Sequence, residues 1–312
     1  MKKFVFIFMM FTAAVCFICA FGCGKKTAGN VLIIGAMPDV DSIPYIIAQN
    51  NGYYKAAGLE VKIEHFKSAR DRDSALQAGL LDGVITDMLA VIFANEGGVR
   101  LITPAKTYGD IRIVASKNSG AAKIQWLKGK SIGLSSNTIM EYSFDTMAQA
   151  AGLLPTDVKK IEIPKIPTRL EMLKGGKVDA VILPDPLGVL AAQDGAELSR
   201  MESLSADVQI GVIAFTEKSL AEKREQILAL FKGYDKAVDY LATAPQGDYI
   251  DFIIENQGFP KDVRDIMQLP KYNKAETPSQ ALFDASLAWL KNKGLVKQNH
   301  KYDNIVDANL LR

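Results

Sequence analysis

From residue 31 onward the chain alternates short apolar runs with stretches whose apolar residues recur every three or four positions. Val31 to Met37 (VLIIGAM) reads as a strand. Ile43 to Ala57 reads as a helix that stops at Gly58, a residue suited to the left-handed position after a helix. Leu59 to Phe66 alternates as a second strand, and Arg70 to Ala78 is a short helix ended by Gly79. Asp82 to Thr86 is a buried strand, followed by a helix to about Glu96. Strands separated by helices predict an α/β fold with a mainly parallel sheet.

The order then recurs. LQAGLLDGVI (76–85) and LKGGKVDAVI (173–182) share Leu, Gly, Asp, Val and Ile at positions 97 residues apart. The same offset of 97 takes Arg72 to Arg169 and Tyr45 to Tyr142. Two similar lobes are the economical reading, with a single large doubly wound sheet as the alternative. IRIVAS (Ile111 to Ser116) and VQIGVIAFT (Val208 to Thr216) bracket the second copy and are β-like, which suggests a two-stranded hinge. The expected division is lobe one from 31–110 and 217–312 and lobe two from 111–216. The tail is helical over Leu220 to Ala242, Gln246 to Gln257 and Pro278 to Lys293, with helically spaced apolar residues that belong to the core.

The N-terminus obeys a different pattern. Lys2 and Lys3 precede an uncharged run from Phe4 to Gly22, so 1–22 reads as a secretory signal, with an uncleaved membrane anchor as the competing reading. All three cysteines, Cys16, Cys19 and Cys23, lie in or just after it, and only Cys23 follows a small residue. Ala20-Phe21-Gly22-Cys23 resembles the bacterial lipoprotein processing site, which implies lipidation of Cys23, palmitate being among the acyl groups. Residues 23–30 read as a flexible tether. The body is then expected outside the cytoplasm, bound to the membrane through its N-terminal lipid, with no thiol and no disulfide.

Charge narrows the partners. Lys2 and Lys3 account for the whole formal net charge of +2, so the body is neutral. Nucleic-acid binding, which needs a basic face to displace phosphate counterions, is not expected. With 48% hydrophobic residues and 312 positions the chain is long enough for a large core without staples.

The segment MPDVDSIPYIIAQNNGYYKAAGLEVKI carries A-x-x-x-G-Y-Y-K at Ala48 to Lys55, then Gly58-Leu59-Glu60-Val61. With LQAGLLDGVITD, LKGKSIGLSSNTIMEY and LKGGKVDAVILPDP it resembles the solute-binding proteins of ABC importers, in the group that includes sulfonate, taurine, nitrate and thiamine-pyrimidine binders. The resemblance covers roughly residues 31–216. It implies a type II periplasmic-binding-protein fold: two lobes joined by a hinge, closing on a small solute and presented to a permease and its ATPase. It also implies a monomer and no cofactor.

Ligands of α/β lobes sit at the C-terminal ends of strands, where loops and helix N-termini converge. The candidates there are Asp39 and Asp41 after the first strand, Ser68 after the second, and Thr86 and Asp87 after the third. In lobe two they are Ser135, Ser136, Asn137 and Thr138, with Glu141 one turn on, and Asp185 between two prolines. Tyr108, near the crossing, is a candidate aromatic wall, and Tyr142 a candidate for stacking. Helix capping competes for Asp41, Ser68, Asp87 and the 135–138 run. The resemblance implies a Glu-Pro pair where this chain has Asp185-Pro186. Arg72 and Arg169 read as structural, leaving Arg70 as the one obvious base among many acids. Carboxylates suit N–H donors, so an amine-bearing or heterocyclic solute such as a pyrimidine vitamin precursor is expected; an organosulfonate, nitrate or other small anion is the alternative.

Catalysis is not expected. His65 lies mid-strand and His300 near the C-terminus, and no G-x-S-x-G, H-E-x-x-H or G-x-x-x-x-G-K-[ST] occurs. Two histidines without a body cysteine also argue against a transition-metal site. An enzyme of small-molecule biosynthesis on the same two-lobed fold, working through its carboxylates, is the rival from another class, and a sensing lipoprotein that feeds no importer is a third reading.

Overall fold

Two five-stranded sheets organise the chain. The computed structural model describes residues 31–205 and 208–312, so the expected signal, the tether and Cys23 lie outside the described residues. The first half runs β1 (Val31–Ala36), α1 (Ile43–Asn50), α2 (Tyr53–Ala56), β2 (Glu60–His65), α3 (Ala69–Gln77), β3 (Gly83–Asp87), α4 (Met88–Glu96) and β4 (Leu101–Lys106). The second runs β5 (Ile111–Ala115), β6 (Ser131–Leu134), α5 (Ile139–Ala150), β7 (Lys159–Glu162), α6 (Ile166–Lys174), β8 (Ala180–Pro184), α7 (Leu187–Asp194) and β9 (Ala196–Arg200). The chain ends with β10 (Gly211–Thr216), α8 (Glu217–Glu222), α9 (Arg224–Leu241), α10 (Ile250–Gln257) and α11 (Gln280–Asn292). Among the described residues no helix is long and apolar enough to cross a membrane.

The sheet orders are β2-β1-β3-β10-β4 and β7-β6-β8-β5-β9. In each, three strands of the repeated unit pair in parallel and a fourth is inserted antiparallel beside the third. The inserted strand β10 corrects the expected division: residues 211–216 were assigned to lobe two, yet they pair with β3 and β4 of the first sheet. Close approach explains it, since a Cβ at Gly83 would lie 2.6 Å from the ring of Phe215. The chain therefore crosses between the sheets after β4 and again before β10.

Three local departures have local causes. The helix expected over Ile43 to Ala57 breaks at Gly52, which takes φ 72. The helix expected from Leu220 breaks at Lys223 (φ −128, ψ 29), whose ammonium reaches Asp82 and the Val31 carbonyl. The strands β4 and β9 carry weak strand signals, β4 because Pro104 interrupts it. The outer edge of β4 is covered by the C-terminal segment, Thr103 N donating to Ile305 O at 2.8 Å and Asp307 N to Thr103 O at 3.1 Å.

The repeated aspartate has one job in both halves. Asp82 Oδ2 accepts from Ile33 N at 2.9 Å, and Asp179 Oδ2 accepts from Ser131 N at 2.8 Å, each tying the third strand to the first. Asp82 also receives Lys223 Nζ at 2.8 Å and Ser219 Oγ at 3.0 Å. Asp82→Ala therefore strands a half-buried ammonium as well as an amide, and is expected to cost about 3 kcal/mol. Asp179→Ala is expected to cost about 1.5 kcal/mol, the loss of Ser131's bonds alone. Urea unfolding of the two variants measures the difference.

Candidate functional site

The C-terminal ends of the strands face each other across a cavity with about 600 Å³ of empty volume, part of it open to solvent. Asp39, Asp41, Arg72, Thr86 and Asp87 supply its polar wall from the first half. Ser135, Thr138 and Arg169 do so from the second, and Met37, Ile85, Ile111, Ile139, Met140 and Ile166 make the rest apolar. The halves touch around it: Val40 N donates to Asp185 O at 3.2 Å and Ile166 N to Lys67 O at 3.1 Å. A third contact joins α11 to α5 through Lys293 Nζ on Glu141 Oε2 at 2.5 Å and Trp289 Nε1 on Asp145 Oδ2 at 3.1 Å.

Three carboxylates crowd the first wall. Burial, with Asp41 beside it, raises Asp39 well above the usual carboxylate range, and Arg72 partly offsets this. Its Oδ1 is buried with no hydrogen-bond partner. Asp41 is pushed up to about 6, mainly by burial. Gly109 in the first crossing and Gly211 at the start of β10 press on it, since a Cβ at Gly109 would sit 2.0 Å from its Oδ2 and one at Gly211 3.1 Å from its Oδ1. Neither position has room for a side chain. Asp87 caps α4, its Oδ1 accepting from Ala90 N at 2.9 Å, and burial pushes it up to about 6. Next to it Thr86 Oγ1 is buried without a partner.

Capping and ligand access thus coincide at Asp87, and again at Thr138, whose Oγ1 accepts from Met140 N at 3.2 Å. They part at Ser68, which caps α3 through Asp71 N and does not line the cavity. Ser136 and Asn137 lie at a neighbouring opening beside Phe93, their amides donating to Glu162 and Glu141. Asn137 takes φ 58.

Four further candidates are corrected by their partners. Asp185 does not point outward: its Oδ1 and Oδ2 take Arg112 Nε and a terminal nitrogen at 2.8 and 2.9 Å, and both residues are buried. Glu141 is held by Lys160, Lys293 and the Asn137 amide, on the α11 side of α5. Tyr108 donates to Glu276 in the tail at 2.5 Å. Tyr142 packs edge-on against Trp289, with ring centroids 5.9 Å apart.

The arginines read as structural are both cavity residues. Arg72 is 3% exposed and Arg169 1% exposed. A terminal nitrogen of Arg72 donates to Ile85 O at 3.0 Å, and one of Arg169 to Ile182 O at 2.6 Å, acceptors that are themselves repeat mates. Burial pushes Arg169 down to about 9, with Glu162 opposing. The offset that relates them was a usable signal; their side-chain direction was not.

Two α/β halves that close around a polar cavity define a periplasmic-binding-protein fold, and solved structures share it. The ligand-binding component of an ABC-type import system from Staphylococcus aureus superposes with a TM-score of 0.74 at 15% identity, over 90% of this chain and 97% of that one. The alkanesulfonate-binding protein SsuA from Xanthomonas axonopodis pv. citri, bound to MOPS, gives 0.75 at 16% identity over 89% and 98%. The nitrate-binding protein NrtA from Synechocystis PCC 6803 gives 0.73 at 14% over 90% and 87%. The chain belongs to the NMT1/THI5-like family, which residues 39–248 match. Saccharomyces cerevisiae THI13 and THI5, both named 4-amino-5-hydroxymethyl-2-methylpyrimidine phosphate synthase, are each 24% identical over 240 residues, 70% of this chain and 70% of theirs. Those names correct the expectation that catalysis is foreign to this chain, because its curated relatives are enzymes.

Asp87 supplies a stability test. Its carboxyl is raised in the folded state, so its ionisation costs folding free energy above about pH 6 and nothing below the unfolded value of 3.8. Asp87→Asn keeps an oxygen for Ala90 N and removes that cost. The ligand-free variant is expected to be about 2 kcal/mol more stable at pH 7.5, a gain that vanishes by pH 4, as read by urea unfolding at both pH values.

Proposed function

We propose that this chain is an extracytoplasmic solute-binding protein, lipid-anchored at Cys23, that closes on a small amine-bearing or heterocyclic solute and delivers it to an ABC permease. The first wall of the cavity carries the reading. Asp39, whose Oδ1 has no partner, Asp87 and the unpartnered Thr86 hydroxyl sit together at strand ends, and burial opposes the ionisation of both carboxyls. An aminopyrimidine or a protonated amine supplies the missing N–H donors and favours the ionised carboxylates. The yeast relatives' names contain an aminopyrimidine, which supports that choice of ring. Contact between the halves on both sides of the cavity supports closure around the solute, the solute favouring the state in which it touches both walls.

Their names also favour a second reading, conversion of a bound pyrimidine. One assay separates the two: native mass spectrometry of the body, residues 24–312, incubated with 4-amino-5-hydroxymethyl-2-methylpyrimidine and a panel of amines. A solute that binds and is recovered unchanged supports delivery; a mass change supports conversion. No binding by any amine or heterocycle overturns the ligand class. Affinity for a binding compound is expected to fall as pH drops through about 6, where Asp41 and Asp87 gain protons and lose the negative charge that strengthens their hydrogen bonds from N–H donors. Asp87→Asn is expected to weaken it about tenfold at pH 7.5 by calorimetry.

A further inference from the structure

The two walls of the cavity do not carry the same charge. Arg72 and Arg169 are repeat mates, similarly buried, and similarly tied to the carbonyl of the third strand in their own half. They differ in what balances them. Residue 73, next to Arg72, is an aspartate whose Oδ1 lies 2.9 Å from Arg72 Nε and 2.8 Å from a terminal nitrogen. Asp39 and Asp87 also feel the charge of Arg72. At the same offset of 97 the second half has Leu170 in place of Asp73. Among the described residues Arg169 makes no ion pair, its Nε has no hydrogen-bond partner, and its remaining bond is a long one to Pro164 O at 3.5 Å. Glu162 is the one charge with a resolved influence on it, and that carboxylate accepts from the Ser136 amide instead.

A guanidinium buried in this way without a counterion is costly, and removing the cost requires an anion from elsewhere. Ser135 and Thr138, on the same wall, add short polar side chains beside it. We infer that Arg169 is a specificity-determining residue that receives an anionic group of the solute, so that the solute is dipolar: N–H donors against Asp39 and Asp87, and a carboxylate, sulfonate or phosphate monoester against Arg169. This rests on the solute-binding reading and narrows its ligand class. The planar fork of the arginine suits such groups, offering two donors to two oxygens.

The test uses a matched pair of compounds, 4-amino-5-hydroxymethyl-2-methylpyrimidine and its phosphate ester, with calorimetry on the wild-type protein, Arg169→Gln and Arg169→Lys. The wild type is expected to bind the ester at least about tenfold more tightly than the alcohol. Arg169→Gln is expected to lose that preference while still binding the alcohol, and Arg169→Lys, which keeps the charge, to recover part of it. Equal affinities in the wild type, or a preference that survives in Arg169→Gln, overturns the assignment while leaving a binding protein. Should neither compound bind, sodium sulfate is the probe: a rise in melting temperature of the wild type that Arg169→Gln lacks and Arg169→Lys keeps supports the anion seat. The same rise in all three, or none in the wild type, overturns it, and the failure of the pyrimidines then counts only against the ligand class proposed above. Urea unfolding of each variant separates these effects from simple loss of the Ile182 anchor.

Discussion

A guanidinium packed beneath a helix must find acceptors inside the protein, and this chain meets that demand twice in the same way. Each arginine lies over a glycine of its first strand: a Cβ at Gly35 would come within 3.2 Å of Arg72 Cγ, and one at Gly133 within 3.8 Å of Arg169 Cγ. Each then donates to the carbonyl of the third strand, at Ile85 and Ile182. Helix, first strand and third strand are thereby joined at the end of the sheet where the cavity opens. These carbonyl bonds satisfy part of each guanidinium but neutralise neither: Asp73 supplies a counter-charge to Arg72, and no ion pair does so for Arg169 among the described residues.

The acids follow from the same physics. Asp82 and Asp179 bind the far ends of the strands, with Asp82 also holding Lys223 and so the start of α9. Asp185 is consumed by Arg112, within the second half. What remains for chemistry at the cavity is Asp39, Asp41 and Asp87, whose ionisation is opposed by burial. Asp41 is distinctive because Gly109 of the first crossing and Gly211 at the start of β10 both lie against it.

Much of this architecture was legible along the chain. Alternation and helical spacing located β1, β2, β3 and the tail helices, and the matched segments 97 residues apart announced two similar halves. Several residues of the cavity wall, including Asp39, Thr86, Asp87, Ser135 and Thr138, were legible because polar residues that end a buried strand have few places to go except a cap or a cleft. Glu141 and Asp185 stood at equally suggestive positions and are taken up elsewhere, Glu141 by lysines on two elements and Asp185 by an arginine 73 residues away in sequence. Local pattern reports that a carboxylate is present; whether a cation is already waiting for it is a long-range fact.

The sequence by itself determined the periodicity of the elements, the internal repeat, the neutrality of the body and the family to which its motifs point, because each of these is read from short local patterns, from comparing such patterns along the chain, or from simple composition. Only the tertiary structure decided that β10 belongs to the first sheet, that Arg72 and Arg169 face a shared cavity, and that Asp73 balances one of them while Leu170 leaves the other unbalanced. Strand pairing and charge compensation are settled between residues far apart in sequence, by which groups are brought out of water together.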